Sequence, residues 1–394
     1  MHHRIRSTIL AIASLLSPVV VATVGTSREA VDRVIAQQMN ESGIVGLGAA
    51  VIVDRRIVWT RGYGFADKAN GRPFTPDTVM NVASIAKTMI GVSMMRAVHE
   101  GKLSLDEDIN TYLPFRVVNP HRPDAKITLR DLATHSSGIT DRWAVYAATY
   151  HYGGDAPEPL DRFLAGYFKP DGKHYSRDNF IDAAPGQMRE YSNIGAALAA
   201  YIVERVTDEP FDAYTRKHIF EPLKMDHTVW FPSKVDPALR ATPYVSHGGH
   251  IIPIPVYGST TWPDGGLHTS VSELSRFFIA MLGDGACESA RILDAEGTQA
   301  MRRFQFTAAR HPDNFPASEG NSGLFWRTKF NGALVGHGGN DPGVQTEMLA
   351  TPDGRVAVIL FSNTSLEDSG QRASGLIFDA LWKHAQALAG ATKH

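Results

Sequence analysis

The sequence predicts an α+β fold: one antiparallel sheet assembled from both ends of the chain, flanked by N- and C-terminal helices, with a helical domain inserted between. Three observations lead there. β-Rich runs bounded by turn residues lie near both ends, 3.6-residue periodicity fills the middle, and one further helical stretch stands outside each set of strands. Taken in order, residues 29–39 place Ala30, Val31, Val34, Ile35 and Met39 on one helical face. Residues 46–53 and 57–64 are β-rich and flank Asp54-Arg55-Arg56, which reads as a hairpin. Helical period follows at 85–100, 128–133, 194–206, 211–219 and 271–281. Thr128 with Asp131, and Ser270 with Glu273, are capping-box signatures, and Gly101 and Gly283 stand where C-caps belong. Residues 119–125 and 150–178 are rich in Pro, Gly, Asp and His and are expected to be mostly loop. Near the C-terminus, residues 324–330 and 333–335 flank Asn331-Gly332, whose residues tolerate positive φ. Residues 344–350 and 355–362 flank Pro352-Asp353-Gly354, and residues 370–388 are helical by period. The sheet part is therefore placed at about 27–80 and 320–394 and the helical part at about 81–319. The site is expected in the cleft between them.

Composition narrows the class. The 394 residues carry 39 basic and 41 acidic side chains, a net charge of −2, so the electrostatic footprint of a nucleic-acid binder is missing. A hydrophobic fraction of 43% is that of a globular protein. A single cysteine, Cys287, excludes an internal disulfide framework and any cysteine-based zinc or iron–sulfur cluster. Stability must come from the core.

The first residues read as a signal peptide over 1–26. His2, His3, Arg4 and Arg6 are basic, residues 9–24 are apolar apart from Ser14, Ser17, Pro18 and Thr23, and small residues follow at Ala22, Gly25, Thr26 and Ser27. An uncleaved anchor is the alternative, but the stretch is short for a span and Pro18 would kink it. The expectation is a periplasmic or secreted protein comprising 27–394, with no stable membrane span after cleavage.

Three short motifs could carry chemistry. Ser84-Ile85-Ala86-Lys87 opens a helix, and residues three apart on a helix are neighbours. A serine hydroxyl is a weak nucleophile that needs an adjacent base. A lysine supplies one when burial or a second cation disfavours its charged form. The helix N-terminus also favours a developing oxyanion. Such a tetrapeptide also arises by chance in a chain of this length. Tyr191-Ser192-Asn193 precedes the next long helix; it offers a phenol as proton carrier and an amide to orient a substrate carbonyl or the lysine, or simply an N-cap turn with Asn193 as the cap. His337-Gly338-Gly339-Asn340 follows a strand, where paired glycines allow close approach to a ligand or merely link two strands.

Together and in this order, the three motifs resemble the serine penicillin-recognising enzymes. The sequence is similar to the beta-lactamase-related serine hydrolases: class C β-lactamases, D-alanyl-D-alanine carboxypeptidases and related esterases. The likeness spans nearly all of 27–394 and includes Gly64-Phe65-Ala66-Asp67, Gly101-Lys102-Leu103-Ser104-Leu105-Asp106, Leu132-Ala133-Thr134-His135-Ser136-Ser137-Gly138 and Gly265-Gly266-Leu267-His268-Thr269-Ser270. It implies a β-lactamase/transpeptidase-like fold, Ser84 as the acylated nucleophile, and Lys87 and Tyr191 sharing general-base and general-acid work. It also implies that Asn193 holds the substrate carbonyl, that His337, Gly338 and Gly339 line the far wall, and that the oxyanion hole is the N–H of Ser84 with that of Asn340. The implied partner is a small acyl substrate: a β-lactam, a D-amino-acid peptide or an ester. No cofactor or metal is expected.

Two departures bear on substrate. His337 stands where many β-lactamases carry lysine, and a histidine holds only partial charge at neutral pH, so a substrate carboxylate would be gripped less firmly. No glutamate motif of the kind that drives deacylation in class A enzymes is present. Elsewhere, His247-Gly248-Gly249-His250 reads as a surface loop, with zinc binding as the lesser alternative because a site needs three ordered ligands. His135 is expected to cap helix carbonyls, and Trp143, Tyr146, Tyr150 and Tyr152 either wall the cleft or pack. Gly62-Tyr63-Gly64 lacks the third glycine of a dinucleotide fingerprint, and no G-x-S-x-G elbow surrounds a serine. An exported serine hydrolase is the preferred reading. A penicillin-binding protein that acylates and turns over slowly is the alternative, and a non-catalytic copy has no physical reason to keep Ser84, Lys87 and Tyr191 together.

Overall fold

The computed structural model describes residues 26–391 except 317, 319 and 367; the expected signal segment lies, but for Thr26, outside the described residues. Seven antiparallel strands form the main sheet. Helix α1 (Arg28–Ser42) leads into β1 (Gly46–Val53), β2 (Arg56–Asp67) and β3 (Arg72–Pro73). The C-terminal part supplies β4 (Arg327–Lys329), β5 (Leu334–Asp341), β6 (Val344–Ala350) and β7 (Val356–Ser362), then the last long helix, Asp368–Ala391. The strand order is β4-β5-β6-β7-β1-β2-β3, so β1 pairs with β7 across the two ends of the chain, Ala50 opposite Ile359. The β1–β2 hairpin turns at Asp54 and Arg55, whose φ values of 48° and 62° match the twist of the flanking strands.

Alternation along the central strands divides the core. Leu47, Ala49, Val51, Val358 and Leu360 pack with Val31 and Ile35 of α1 and with Ile377 and Leu381 of the C-terminal helix. Ala50, Ile52, Ile359 and Phe361 face the other way, into the inserted helices. Both faces of the sheet are covered, and every residue of β1 and β7 is buried.

The inserted part holds α2 (Lys87–His99), α3 (Leu129–Ala133), α4 (Leu160–Phe168), α5 (Asn193–Thr207) and α6 (Val271–Leu282). The capping box at Thr128 and Asp131 is present. At α6 the hydroxyl of Ser270 accepts from Glu273 N, but the Glu273 carboxylate turns instead to Thr228 and His227.

Residues 150–178 are mostly loop as expected but also contain α4, whose Leu160, Phe163, Leu164, Tyr167 and Phe168 are buried; nine residues among Pro and Gly were too few to announce a period. Three local expectations need correcting. The N-cap of α5 is Ser192, which accepts from Gly195 N at 2.8 Å, rather than Asn193. The strand expected at 324–330 shrinks to β4, because Leu324 N and Phe325 N donate to Met301 O and Ala133 O of the helical part. The helix expected at 211–219 is α-helical only over Phe211–Thr215 and continues as a π-helical turn, Arg216–Phe220.

Candidate active site

Ser84 sits in a 3₁₀ turn, Ala83–Ala86, that runs directly into α2. The turn is strained where it meets the nucleophile: Ala83 has φ 48°, a left-handed conformation that L side chains rarely adopt. Asn81 Oδ1 holds it by accepting from Ala83 N at 2.6 Å. The turn presses against β5 so closely that a Cβ on Gly339 would lie 2.5 Å from Val82 O, so glycine is required there.

Lys87 is the first residue of α2, and its side chain is 0% exposed. Its Nζ lies 3.0 Å from Ser84 Oγ and donates to Asn193 Oδ1 at 2.7 Å and to the main-chain oxygen of Asp264 at 2.7 Å. Asn193 is delivered by the start of α5. There Asp141 accepts from Ser192 Oγ at 2.7 Å, Asn193 N at 2.7 Å and Ile194 N at 3.1 Å, and so ties down the first turn of the helix. Asp264 closes the 3₁₀ turn Trp262–Asp264.

Tyr191 precedes that cap. Lys87 Nζ is 5.1 Å and the Arg327 guanidinium 5.5 Å from its ring centroid, so two nitrogen-bearing side chains attend the ring. Its Oη is buried and has no hydrogen-bond partner among the described residues. His135 stacks 4.1 Å from the Tyr191 ring, and its Nδ1 accepts from Ser192 N at 3.3 Å. It therefore props the Tyr191–Asn193 segment and does not cap carbonyls as expected; burial, then the charges of Arg189 and Lys87, hold its imidazole neutral.

The far wall is β5. Its pairing with β4 ends at Gly336 opposite Arg327, which leaves residues 337–341 with a free strand edge on that side. Ser84, Tyr191, Asn193, Gly338 and Gly339 are partly exposed and Asn340 is exposed, so the edge and the nucleophile both reach solvent. His337 is 0% exposed, and burial with the nearby charges of Arg327 and Lys87 lowers its pKa well below the usual range. Its Nδ1 donates to Gly338 O at 2.7 Å, so its partnerless Nε2 presents a lone pair. The expectation of a partial charge at His337 is thus corrected: burial removes it, and Arg327 supplies the cation of this wall. Lys329 is paired with Glu347.

The structure brings Ser84, Lys87, Tyr191, Asn193 and His337 into one cluster against the free edge of Gly338, Gly339 and Asn340. It adds Asp141, Asp264 and Arg327, which the sequence reading missed. Asp141 and Asp264 stand just outside the segments 132–138 and 265–270, and no spacing rule marks an acid that acts through a cap or a main-chain oxygen. Arg327 was hidden in a strand that ran too long. Tyr146 is buried and donates to Asp264 Oδ1 at 3.1 Å, Tyr150 donates to Asp341 Oδ1 at 2.6 Å, and Trp143 is 73% exposed. His247 and His250 face each other across an exposed hairpin turn. Among the described residues no group of three or more His, Cys, Asp or Glu could hold a metal ion, and no helix is long and apolar enough to cross a membrane.

Comparison with known proteins bears on the family and the fold. The chain is 22% identical over 343 residues to the protein flp of Staphylococcus aureus (strain MW2), covering 86% of this chain but only 64% of that relative's length. An octameric penicillin-binding protein homologue from Pyrococcus abyssi superposes with a TM-score of 0.70 at 25% identity, covering 91% of this chain and 76% of that one. The D-amino acid amidase of Ochrobactrum anthropi SV3 shares the fold, with a TM-score of 0.67 at 22% identity over 89% of this chain and 98% of that one. The Beta-lactamase family profile matches residues 31–381, and the chain belongs to that family of hydrolases.

Proposed function

We propose that the protein is a serine hydrolase that cleaves an amide or ester bond of a small acyl donor through an acyl-enzyme on Ser84. The observation that carries this reading is the placement of Lys87. Two of its three buried contacts, Asn193 Oδ1 and Asp264 O, can only accept, and together they use two N–H groups. The remaining direction points at Ser84 Oγ, 3.0 Å away, where a lone pair on Nζ takes the serine proton as the hydroxyl attacks. The oxyanion then meets the N–H of Ser84 at the head of α2 and that of Asn340 on the free edge of β5. Tyr191 Oη, without a hydrogen-bond partner among the described residues, passes a proton to the leaving group, and water resolves the acyl-enzyme with the same groups in reversed roles.

Arg327 beside Tyr191 favours substrates with a carboxylate on the leaving half. The penicillin-binding homologue and the D-amino acid amidase support amide chemistry at such a site. The proposal includes export to the periplasm or medium, resting on the basic and apolar residues 2–24. Intact-mass spectrometry after mixing with a penicillin, sampled from seconds to an hour, tests the site. An adduct mapping to Ser84 is expected. Rapid loss of it identifies a β-lactamase and persistence a peptidase or a slow penicillin binder. Turnover of any acyl donor by Ser84→Ala would end the assignment.

A further inference from the structure

Two carboxylates beside the nucleophile have no evident employment. Asp264 gives its main-chain oxygen to Lys87, so its side chain stands next to the reacting lysine, yet it is 3% exposed. Its Oδ1 accepts from Tyr146 Oη at 3.1 Å, and its Oδ2 is buried without a partner among the described residues. Asp341 is the last residue of β5, next to Asn340, and accepts from Tyr150 Oη at 2.6 Å. Neither acid has an ion-pair partner among the described residues, since the Nζ of Lys87 is committed to Ser84, Asn193 and a main-chain oxygen. Burial pushes Asp264 up to about 6 and Asp341 up to about 7, with Asp141 repelling Asp264 and Asp264 repelling Asp341, against the weaker pull of the Lys87 charge and of the tyrosine hydroxyls.

Tyrosines surround the pair. Tyr146 and Tyr150 meet edge to face at 5.8 Å, and Tyr257 lies 5.6 Å from Tyr150. A buried carboxylate is costly unless a cation answers it, and tyrosine faces attract cations as well. The opposite side of the site is cationic: Arg327 stands by Tyr191, with Arg189 close enough to Arg327 to be depressed by it. Tyr191 protonates the leaving group in the reading above, so the cationic side is the leaving-group side and the acidic side faces the acyl half.

We propose that Asp264 and Asp341, set among Tyr146 and Tyr150, form a subsite for a cationic amine on the acyl half of the substrate. The acyl donor is then an aminoacyl amide or ester, or a short peptide with a free N-terminus. The ammonium supplies the direct ion-pair partner that neither acid has among the described residues, and it anchors the carbonyl over Ser84. This rests on Ser84 being the acylated residue.

The test compares the methyl esters of D-alanine and of isobutyric acid, which differ by an ammonium in place of a methyl group. For each, kcat/KM is divided by the hydroxide-catalysed rate, and the ratio of the two values is the readout. The full chain should favour the amine by about tenfold or more, and Asp341→Asn should bring the ratio to within about twofold of one. A ratio near one in the unaltered protein, or one that Asp341→Asn leaves in place, overturns the subsite. Should that variant not fold, the unaltered protein still decides. Isopropylammonium should inhibit isobutyrate ester hydrolysis competitively while 2-propanol does not, and equal effects of the two overturn the proposal. Ser84→Ala is run alongside. If it still hydrolyses the isobutyrate ester, the acyl-enzyme reading fails, whatever the ratio shows.

Discussion

Lys87 and Tyr191 stand 5.1 Å apart, Nζ to ring centroid, yet the protein treats them in opposite ways. Lys87 is held by Asn193, Asp264 and Ser84, and Asp141 in turn fixes the residues that present Asn193. Tyr191 Oη, His337 Nε2 and Asp264 Oδ2 are buried and have no hydrogen-bond partner among the described residues. One half of the site is complete before substrate arrives. The other half keeps hydrogen-bonding capacity in reserve, and at a site a ligand can collect it. Fixed geometry belongs around the group that must meet the serine proton, and open valences belong where bonds change during reaction.

The contrast can be broken experimentally. The largest effect is expected on the Lys87 side. Ser84→Ala should abolish turnover, and Lys87→Ala should lower kcat/KM by about 10³-fold or more, because residues acting as one unit fail together. Lys87→Ala should also destabilise the fold, since it strands Asn193 Oδ1 and Asp264 O, by about 1–3 kcal/mol in denaturant titration. Tyr191→Phe is the counterpart. We expect kcat to fall by about 10²-fold, with stability within about 0.5 kcal/mol of the parent, because the lost hydroxyl has no partner. If Tyr191→Phe proves as destabilising as Lys87→Ala, the two halves are not built differently.

Asp141→Ala sharpens the comparison from outside the site. It removes the acceptor of three hydrogen bonds at the head of α5, and about 2 kcal/mol of stability should go with it. Activity should also fall, through kcat rather than KM, because Asn193 loses its seat. A change confined to KM would place Asp141 at the substrate instead.

The last effect is read as a shift of stability with pH. Folded Asp341 and Asp264 take up protons near about 7 and about 6, whereas an unfolded aspartate does so near ~3.9. Between those values the folded state holds more protons, so these two groups make stability fall as pH rises. Asp341→Asn removes one of them. It should melt above the parent at about pH 8, and the advantage should fade toward about pH 5. A variant no more stable than the parent at high pH would show that a cation already answers Asp341.

Much of this was legible along the chain. The β1–β2 hairpin announced itself through period and turn residues, and the capping box at Thr128 and Asp131 through two residue types at fixed spacing. Ser84 and Lys87 were legible for the same reason, since three residues on a helix fix their neighbourhood. Asp141, Asp264 and Arg327 were not, because each acts through a main-chain group or a ring supplied from far away in sequence. The charge of His337 was misjudged because its burial depends on strands, turns and cations that no local window contains.

The sequence by itself determined the elements, their alternation and the order of the three motifs, because these follow from local periodicity and side-chain type. Tertiary structure alone decided which polar atoms are paired. Among the described residues it gave Lys87 its two acceptors and the Tyr191 hydroxyl no partner, made His337 neutral, and set two acids beside the nucleophile with no ion pair. Desolvation and hydrogen-bond satisfaction depend on every atom packed around a group, and that environment exists only once the two ends of the chain have closed one sheet around the inserted helices.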